Sequence, residues 1–172
     1  DLGNFVDSPE AIRSAFLAAS ANADVVITSG GVSVGEADFI KQMLDELGEV
    51  LFWKIAMKPG RPMAYGTVGG AHFFGLPGNP VAVMVTFYQF VRSALATLQG
   101  RTDYMLPPTV KATLVNKVKK MPGRTEFQRG VITAGANGWE VKTTGDQGSG
   151  ILSSMTQANC FLVLGTEVGG VE

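Results

Sequence analysis

"TSGGVSVGEADF", residues 28–39, lies between an apolar run and an amphipathic run. The preceding residues 25–27 ("VVI") are short and β-branched, as is typical of a buried strand. The following residues 39–47 carry apolar side chains at helical spacing and end before Gly48, which predicts a helix with a glycine C-cap. The glycine-rich stretch is therefore predicted to join a strand to a helix.

The elements on either side alternate between helices and strands as far as residue 100. Ser8 and Pro9 suit the N-cap and the first position of a preceding helix. Helices are predicted over 8–20, 39–47 and 80–99, and strands over 23–28, 49–57, 61–68 and 71–76. This order is typical of an α/β domain with helices layered on the faces of a sheet.

The pattern changes at "MLPP", residues 105–108. Beyond it no helical period is visible, and short alternating segments are separated by glycine-rich turns. Strands are predicted over 110–114, 127–133, 139–143 and 160–164. The sequence thus predicts an α/β domain over residues 1–106 and a small all-β domain over residues 107–172.

Composition limits the possible functions. The 172 residues are 45% hydrophobic and 17% charged, which is typical of a globular chain. The net charge of −1 favours neither nucleic acid nor an anionic membrane as a partner. The most apolar run, 81–98, is interrupted by Gln89 and Arg92, so no membrane span is expected. The chain lacks an initiator Met and begins and ends as if within strands, so we expect a fragment of a longer protein.

Residues 28–38 could form a ligand site. Ligands of α/β sheets bind outside the carboxyl ends of strands. Gly30 and Gly31 allow unusual backbone angles and close approach of a ligand, and hydroxyls come from Thr28, Ser29 and Ser33. The alternative is an ordinary glycine-rich turn with Asp38 as the N-cap of the next helix, although that carboxylate could also hold a hard cation.

Asp7 occupies the corresponding place before the first helix. If both junctions lie on one sheet edge, Asp7 and Asp38 could share a metal or face an anionic substrate. The alternative is an acid favoured by the positive end of the helix dipole.

Two further junctions carry unusual residues. In "KIAMKPGR", residues 54–61, Lys54 and Lys58 are four apart and would point the same way on a strand, and three cations with Arg61 suit phosphates. The alternative is a solvated strand face.

In "GLPGNP", residues 75–80, two prolines stiffen the loop and Asn79 can cap the next helix. This loop is either a good helix start or a rigid oxyanion site.

The remaining candidates have ordinary structural interpretations. A lone histidine, His72, has no ligating neighbours in sequence, and Cys160 is expected to be a buried strand thiol. The basic run of Lys117, Lys119 and Lys120 predicts a solvated turn rather than nucleic-acid binding.

Five motifs in one order are more specific than any one of them: "SGGVSVGEAD" (29–38), "KIAMKPGRP" (54–62), "GLPGNP" (75–80), "FQRG" (127–130) and "TTGDQGSGILSSM" (143–155). Together they closely resemble the molybdopterin molybdenumtransferase (MoeA) family of molybdenum-cofactor biosynthesis, over essentially the whole chain. The resemblance implies a partial MogA-like three-layer α/β/α domain followed by a C-terminal β-barrel domain.

The resemblance also implies an activity, which is insertion of molybdate into adenylylated molybdopterin with release of AMP, assisted by Mg²⁺ or another divalent cation. Asp7 and Asp38 match acidic residues near the metal, and with Lys54 and Lys58 they make up the catalytic set. The matching substrate-binding residues are Ser29, Gly30, Gly31, Ser33, Arg61, Pro77, Pro80, Arg124, Arg129 and Ser149. The family implies a cytoplasmic protein, a homodimer at full length, and the adenylyltransferase that supplies the substrate as a further partner.

Two other functions stay open on the sequence. One is the adenylyltransferase branch that makes adenylylated molybdopterin, against which the β domain and "KIAMKPGRP" argue. The other is a non-enzymatic scaffold module like that of gephyrin. Because the portion of the family's site that precedes residue 1 is absent, this chain is expected to hold about half of a site.

Overall fold

The computed structural model describes residues 1–32, 37–103 and 107–170, with the backbone alone for 37–39. The chain forms two compact units. The first comprises Asp1–Ile55 and Pro62–Gly78, and the second comprises Ala56–Arg61 and Asn79–Glu172. The domain boundary expected near residue 107 stays a prediction; by its contacts, the helix that begins at Pro80 belongs with the second unit.

The first unit is a mixed α/β layer structure. Its elements are α1 (Pro9–Ser20), β1 (Val25–Ser29), α2 (Ala37–Leu47), β2 (Gly48–Lys54), β4 (Pro62–Val68) and β5 (Ala71–Leu76). The strands form one sheet in the order β1-β5-β4-β2. β1 runs parallel to β5, whereas β4 is antiparallel to both β5 and β2. The α/β class predicted for this part of the chain is confirmed.

Local sequence signals explain one helix start in full. Ser8 is the N-cap of α1, with extended backbone angles, and its Oγ accepts a hydrogen bond from the backbone N–H of Ala11 at 3.3 Å. Pro9 follows at the first helical position, where its missing N–H leaves no bond unmade.

The predicted start of α2 is wrong by two residues, whereas its predicted end at Leu47 is confirmed. The helix begins at Ala37, so Asp38 lies in its first turn and is not the N-cap. Gly48 is not a positive-φ cap but the first residue of β2, paired with Val68. A Cβ at Gly48 would collide with the carbonyl oxygen of Thr67, so close strand pairing explains this glycine.

The core of the first unit holds the strands in place. Phe16 of α1 and Phe73 of β5 pack with ring centroids 5.3 Å apart. Leu44 of α2 and Val68 of β4 are buried in the same cluster. Burial of each such side chain contributes about 1.5–3 kcal/mol, so this layer fixes β1 and β5 side by side.

The second unit contains a five-stranded sheet and two helices among its described residues. Its elements are β3 (Met57–Lys58), α3 (Pro80–Leu98), β6 (Thr113–Leu114), β7 (Thr125–Gly135), β8 (Gly138–Thr143), α4 (Ser153–Gln157) and β9 (Cys160–Leu164). The sheet has the order β3-β7-β8-β6, and β9 also pairs with β7. The prediction that no helix follows residue 108 is wrong at α4, because five residues are too few to show a helical period.

Helix α3 contains a π-helical segment, Phe87–Val91. Just before it, Thr86 Oγ1 donates to the carbonyl oxygens of Ala82 at 2.8 Å and Val83 at 3.0 Å, a side-chain bond that often bends helices. By length and composition alone α3 could cross a membrane, contrary to the expectation from Gln89 and Arg92. Core helices of soluble proteins meet the same criterion.

Lys120 corrects the interpretation of the basic run as a solvated turn. Its side chain is buried, and its Nζ donates to the carbonyl oxygens of Met121 at 3.2 Å, Thr166 at 3.4 Å and Val168 at 2.7 Å. The ammonium group therefore ties the turn before β7 to the segment after β9.

Candidate functional site

Two predicted loops meet at one edge of the first sheet. β1 and β5 are parallel neighbours with Ser29 opposite Leu76, so their carboxyl ends lie together. The backbone N–H of Gly30 donates to the carbonyl oxygen of Leu76 at 3.0 Å. Ser29 Oγ donates to the carbonyl oxygen of Pro77 at 3.4 Å. We call this pair of segments, 29–31 and 76–78, the edge loops.

The edge loops are built from bare backbone. Gly30 has φ +89° and Gly31 has φ +72°, angles that residues with a Cβ rarely adopt. A Cβ at Gly31 would lie 2.5 Å from Ile40 Cδ1, and one at Gly78 would lie 3.7 Å from the α carbon of Gly30. These positive φ angles are the unusual backbone angles that the sequence predicted for Gly30 and Gly31, and the close approach of a ligand stays a prediction.

Two residues of the predicted site, Ser33 and Asp38, lie wholly or partly outside the part of the chain that the structure describes. Ser33 lies outside the described residues. The backbone of Asp38 is in the first turn of α2, and its side chain lies outside the described residues. Asp7 is exposed and directly precedes the N-cap of α1. Across the described residues, no three His, Cys, Asp or Glu side chains come together as a metal cluster.

The basic motif is divided between the two units. Lys54 ends β2 in the first sheet, whereas Lys58 lies on β3 in the second. The prediction that both share one strand face is therefore wrong, because the single strand expected over 49–57 breaks after Lys54. Arg61 is exposed and belongs to the second unit.

The second unit contains a cleft of about 510 Å³, which we call the polar cleft. It is lined by Lys58, Lys117, Val118, Lys119, Gln128, Thr143 and residues 145–148. Lys58 is half-exposed, and its Nζ lies 3.4 Å from Glu126 Oε1. The other oxygen of that buried carboxylate, Oε2, accepts from Gln128 Nε2 at 3.0 Å.

Arg129 is fully buried on β7. Its Nε donates to Ser154 Oγ at 2.9 Å and its Nη2 to the carbonyl oxygen of Gly148 at 3.1 Å. Its Nη1 donates to no acceptor in the part of the chain that the structure describes. Burial lowers the pKa of the guanidinium, and the charge of Asp146 acts in the opposite direction. A guanidinium nonetheless stays protonated in proteins.

Gln147, which lines the polar cleft, is hydrogen-bonded through its side chain to the backbone of Arg129. Its Oε1 accepts from the backbone N–H of Arg129 at 2.7 Å, and its Nε2 donates to the carbonyl oxygen of Arg129 at 3.1 Å. The β8 register with β7 reaches only to Gly130, and beyond it the side chain of Gln147 bonds to the backbone of Arg129 and fixes the loop 144–148.

Ser149 contacts the first residues of α3 from a distant part of the sequence. Its carbonyl oxygen accepts from the backbone N–H of Val81 at 3.1 Å, and its Oγ accepts from Asn79 Nδ2 at 3.0 Å. Asn79 occupies the N-cap position, as predicted, but its side chain makes no hydrogen bond to the helix. The prediction that this side chain caps the helix is therefore wrong. Pro80 is the first residue of α3, and Arg124 is exposed.

Sequence reasoning missed Glu126 and Gln128. Both are buried, at 3% and 5% exposure. They are two apart on β7, so they share one face of the strand. In sequence, polar residues at that spacing predict a solvent-facing side, and only the tertiary structure shows that this side is covered.

The contacts of His72 and the partial burial of Cys160 agree with structural roles for both residues. His72 Nδ1 and Tyr65 Oη are 3.2 Å apart. Cys160 is half-buried on β9. Burial raises the pKa of the Cys160 thiol, against a smaller lowering by a backbone hydrogen bond with Ile132. A raised pKa disfavours the reactive thiolate, which agrees with a structural role.

Two family models match consecutive parts of the chain. Residues 2–97 match the family described as "Probable molybdopterin binding domain", and residues 111–172 match the "MoeA C-terminal region (domain IV)". The chain is 49% identical to a molybdopterin molybdenumtransferase of Haemophilus influenzae over 99% of this chain and 43% of that protein. It is 33% identical to gephyrin of Dictyostelium discoideum, over 99% of this chain and 27% of that protein.

Solved structures agree with these matches. A molybdopterin biosynthesis MoeA protein of Pyrococcus horikoshii aligns with a TM-score of 0.79 at 29% identity, over 99% of this chain and 40% of that one. A molybdenum cofactor biosynthesis protein of Pyrococcus furiosus aligns with a TM-score of 0.75 at 34% identity, over 96% and 52%. The chain thus spans about half or less of each of these proteins. The two consecutive family matches and the agreement in fold together assign the chain to the MoeA family, as a molybdopterin-binding domain followed by a MoeA C-terminal region.

Proposed function

We propose that this chain is part of a molybdopterin molybdenumtransferase, which inserts molybdate into adenylylated molybdopterin and releases AMP. The observation that carries the proposal is the meeting of the edge loops at the carboxyl ends of β1 and β5. These loops fall within the residues that match a molybdopterin-binding family. The named activity of the Haemophilus relative supports the same function.

The edge loops suit a large, anionic ligand. Their glycines remove side chains from the strand ends, so ligand atoms can approach the backbone closely. The hydroxyl of Ser29 makes only a long bond of 3.4 Å to Pro77, so it can turn to a ligand oxygen at little cost. In this proposal the edge loops bind the pterin and its phosphate.

Arg129 and Lys58 suit the oxyanions of the reaction. The hydrogen bonds that the Arg129 side chain makes in the described structure are to neutral groups, and its Nη1 stays without an acceptor there. A buried cation with an unused donor is stabilised by an anion. Lys58 adds a half-exposed ammonium group at the polar cleft.

The donor set also suits a magnesium ion. In sites that bind phosphates, Mg²⁺ needs one or two protein carboxylates and completes its shell with phosphate oxygens and water. Asp7 and Asp38 would supply those carboxylates, so a larger acidic cluster is not required. Bound Mg²⁺ would polarise the phosphoanhydride of the adenylyl group.

No protein nucleophile is required, because the dithiolene sulfurs of the substrate bind the molybdenum. The residues of this chain then act by binding and orienting the substrates. The chemical demand on the protein is to place several negative groups together.

The test is AMP release from adenylylated molybdopterin on addition of molybdate and Mg²⁺. The full-length protein that contains this chain is compared with its Asp38→Asn variant. We expect release by the parent and only background release by Asp38→Asn. Asp45→Asn serves as the matched control, since Asp45 is an exposed acid on the same helix and should leave release unchanged.

Two outcomes would contradict the proposal in different ways. A folded parent that releases no AMP would exclude the transferase activity and favour the scaffold alternative. Equal release by the parent and Asp38→Asn would leave the activity in place but remove Asp38 from it.

A further inference from the structure

Glu126 is a buried acid in a region that the proposed function requires to attract anions. Its carboxylate is 4% exposed, and a buried carboxylate is costly unless it is paired and hydrogen-bonded. Both oxygens have partners: Lys58 Nζ lies 3.4 Å from Oε1, and Gln128 Nε2 donates to Oε2 at 3.0 Å. The site thus retains a negative charge directly beside a cation that would bind substrate.

Strand pairing places Glu126 behind Lys58. β3 runs parallel to β7, and Lys58 is opposite Glu126 in the register. Lys58 and Gln128 line the polar cleft, whereas Glu126 does not. The carboxylate therefore contacts the ammonium group from within the unit, and the exposed half of the lysine side chain remains available to the cleft.

Gln128 fixes the orientation of Glu126. The same Nε2 that donates to Glu126 Oε2 also donates to the carbonyl oxygen of Lys119 at 3.2 Å. Lys119 lines the polar cleft, so the chain of contacts from Lys58 through Glu126 and Gln128 ends on the wall of the same cleft.

The separation of the ion pair also matters. Ammonium–carboxylate hydrogen bonds are typically about 2.7–2.9 Å long, whereas Lys58 and Glu126 are 3.4 Å apart. The pair is close enough to restrict the flexible lysine stem, yet loose enough for the ammonium group to bind another anion.

We propose that Glu126 is a positioning residue, which together with Gln128 holds the Lys58 ammonium group at the polar cleft for an oxyanion ligand. This inference rests on the proposed function, because it identifies what supports one of its anion-binding cations. It also predicts an unusual direction of change in affinity, since removing the negative charge of Glu126 should weaken the binding of an anion.

The experiment measures molybdate binding to the full-length protein by isothermal titration calorimetry, without any pterin. Glu126→Gln keeps the volume of the side chain and removes its charge. We expect its molybdate affinity to fall about fivefold, the effect of an ion pair worth close to 1 kcal/mol. If Glu126 acted by charge alone, the same variant would bind molybdate more tightly; tighter or unchanged binding would overturn the inference.

A double-mutant cycle distinguishes positioning from a general structural role. In the Lys58→Met background, Glu126→Gln should change molybdate affinity by less than about twofold, because the group it positions is gone. An equal loss in both backgrounds would show that Glu126 acts through the fold and would overturn the inference. Glu126→Asp, which keeps the charge but shortens the side chain, gives the same test if Glu126→Gln does not fold.

The binding readout separates this inference from the proposed function. A parent that binds molybdate with the expected coupling but releases no AMP would retain the positioning role and exclude the transferase activity. A parent that releases AMP while the two substitutions act additively on molybdate affinity would retain the activity and exclude the positioning role.

Discussion

The edge loops of the first unit and the polar cleft of the second, both of which we propose to bind anions, are built in different ways. The edge loops use glycine backbone and the single hydroxyl of Ser29, and they bury no charge among their described side chains. The polar cleft has two buried charged groups beside it, Glu126 and Arg129. Backbone surfaces need no counter-charge, whereas buried charges must be paired and hydrogen-bonded. The first region should therefore be sensitive to added atoms and the second to removed ones.

The largest expected effect comes from removing Arg129. Arg129→Met deletes the donors to Ser154 and Gly148 and leaves a partly filled space, so the second unit should lose about 3 kcal/mol of stability. Hydrogen–deuterium exchange of the full-length protein measures this, with faster exchange in peptides from β7 and 146–154.

The control for that prediction is Arg124→Met. Arg124 is exposed and precedes β7, so the change should stay within about 0.5 kcal/mol. Equal exchange in the two variants would show that the buried guanidinium does not stabilise the second unit. The polar cleft would then not be the region that is sensitive to removed atoms.

A smaller effect is expected from adding atoms to the edge loops. Gly31→Val places a side chain at φ +72° and against Ile40, which should cost about 2 kcal/mol and raise the KM for adenylylated molybdopterin. Gly70→Val is the matched control, because Gly70 has φ +88° in a hairpin turn with open space around it. It should cost about 1 kcal/mol and leave that KM unchanged. A similar KM for both variants would place the ligand away from the edge loops.

The smallest effect concerns Cys160 in β9, which pairs with β7. Because its pKa is raised by burial, the native thiol should react more slowly with iodoacetamide at pH 8 than the thiol of the chain unfolded in urea. The native state holds this proton to higher pH than the unfolded state, so any stability from it is lost as pH rises above the unfolded pKa of about 8.5. Equal reaction rates would indicate that this side of the sheet is open to solvent.

The same contrast explains what the sequence could predict. The edge loops follow from residue identity, because Gly30 and Gly31 can adopt the positive φ angles found there and the apolar strands set the register. The networks of the polar cleft could not be predicted. Glu126 and Gln128 alternate as a solvated face would, and Lys120 is indistinguishable in sequence from the exposed lysines near it. The break between Lys54 and Lys58 also has no local signal, since neither glycine nor proline lies between them.

The short strand β3 has a consequence for synthesis at the ribosome. The first unit has all of its residues once Gly78 has emerged, but Lys58 pairs with a residue 68 positions later. At 5–20 residues per second, that partner follows after about 3–14 seconds. Residues 56–61 must therefore wait, already translated and unpaired, within a chain whose neighbouring segments on both sides can already fold. Each unit is made of two separate segments of the sequence, so neither can be cut from the gene as one uninterrupted piece.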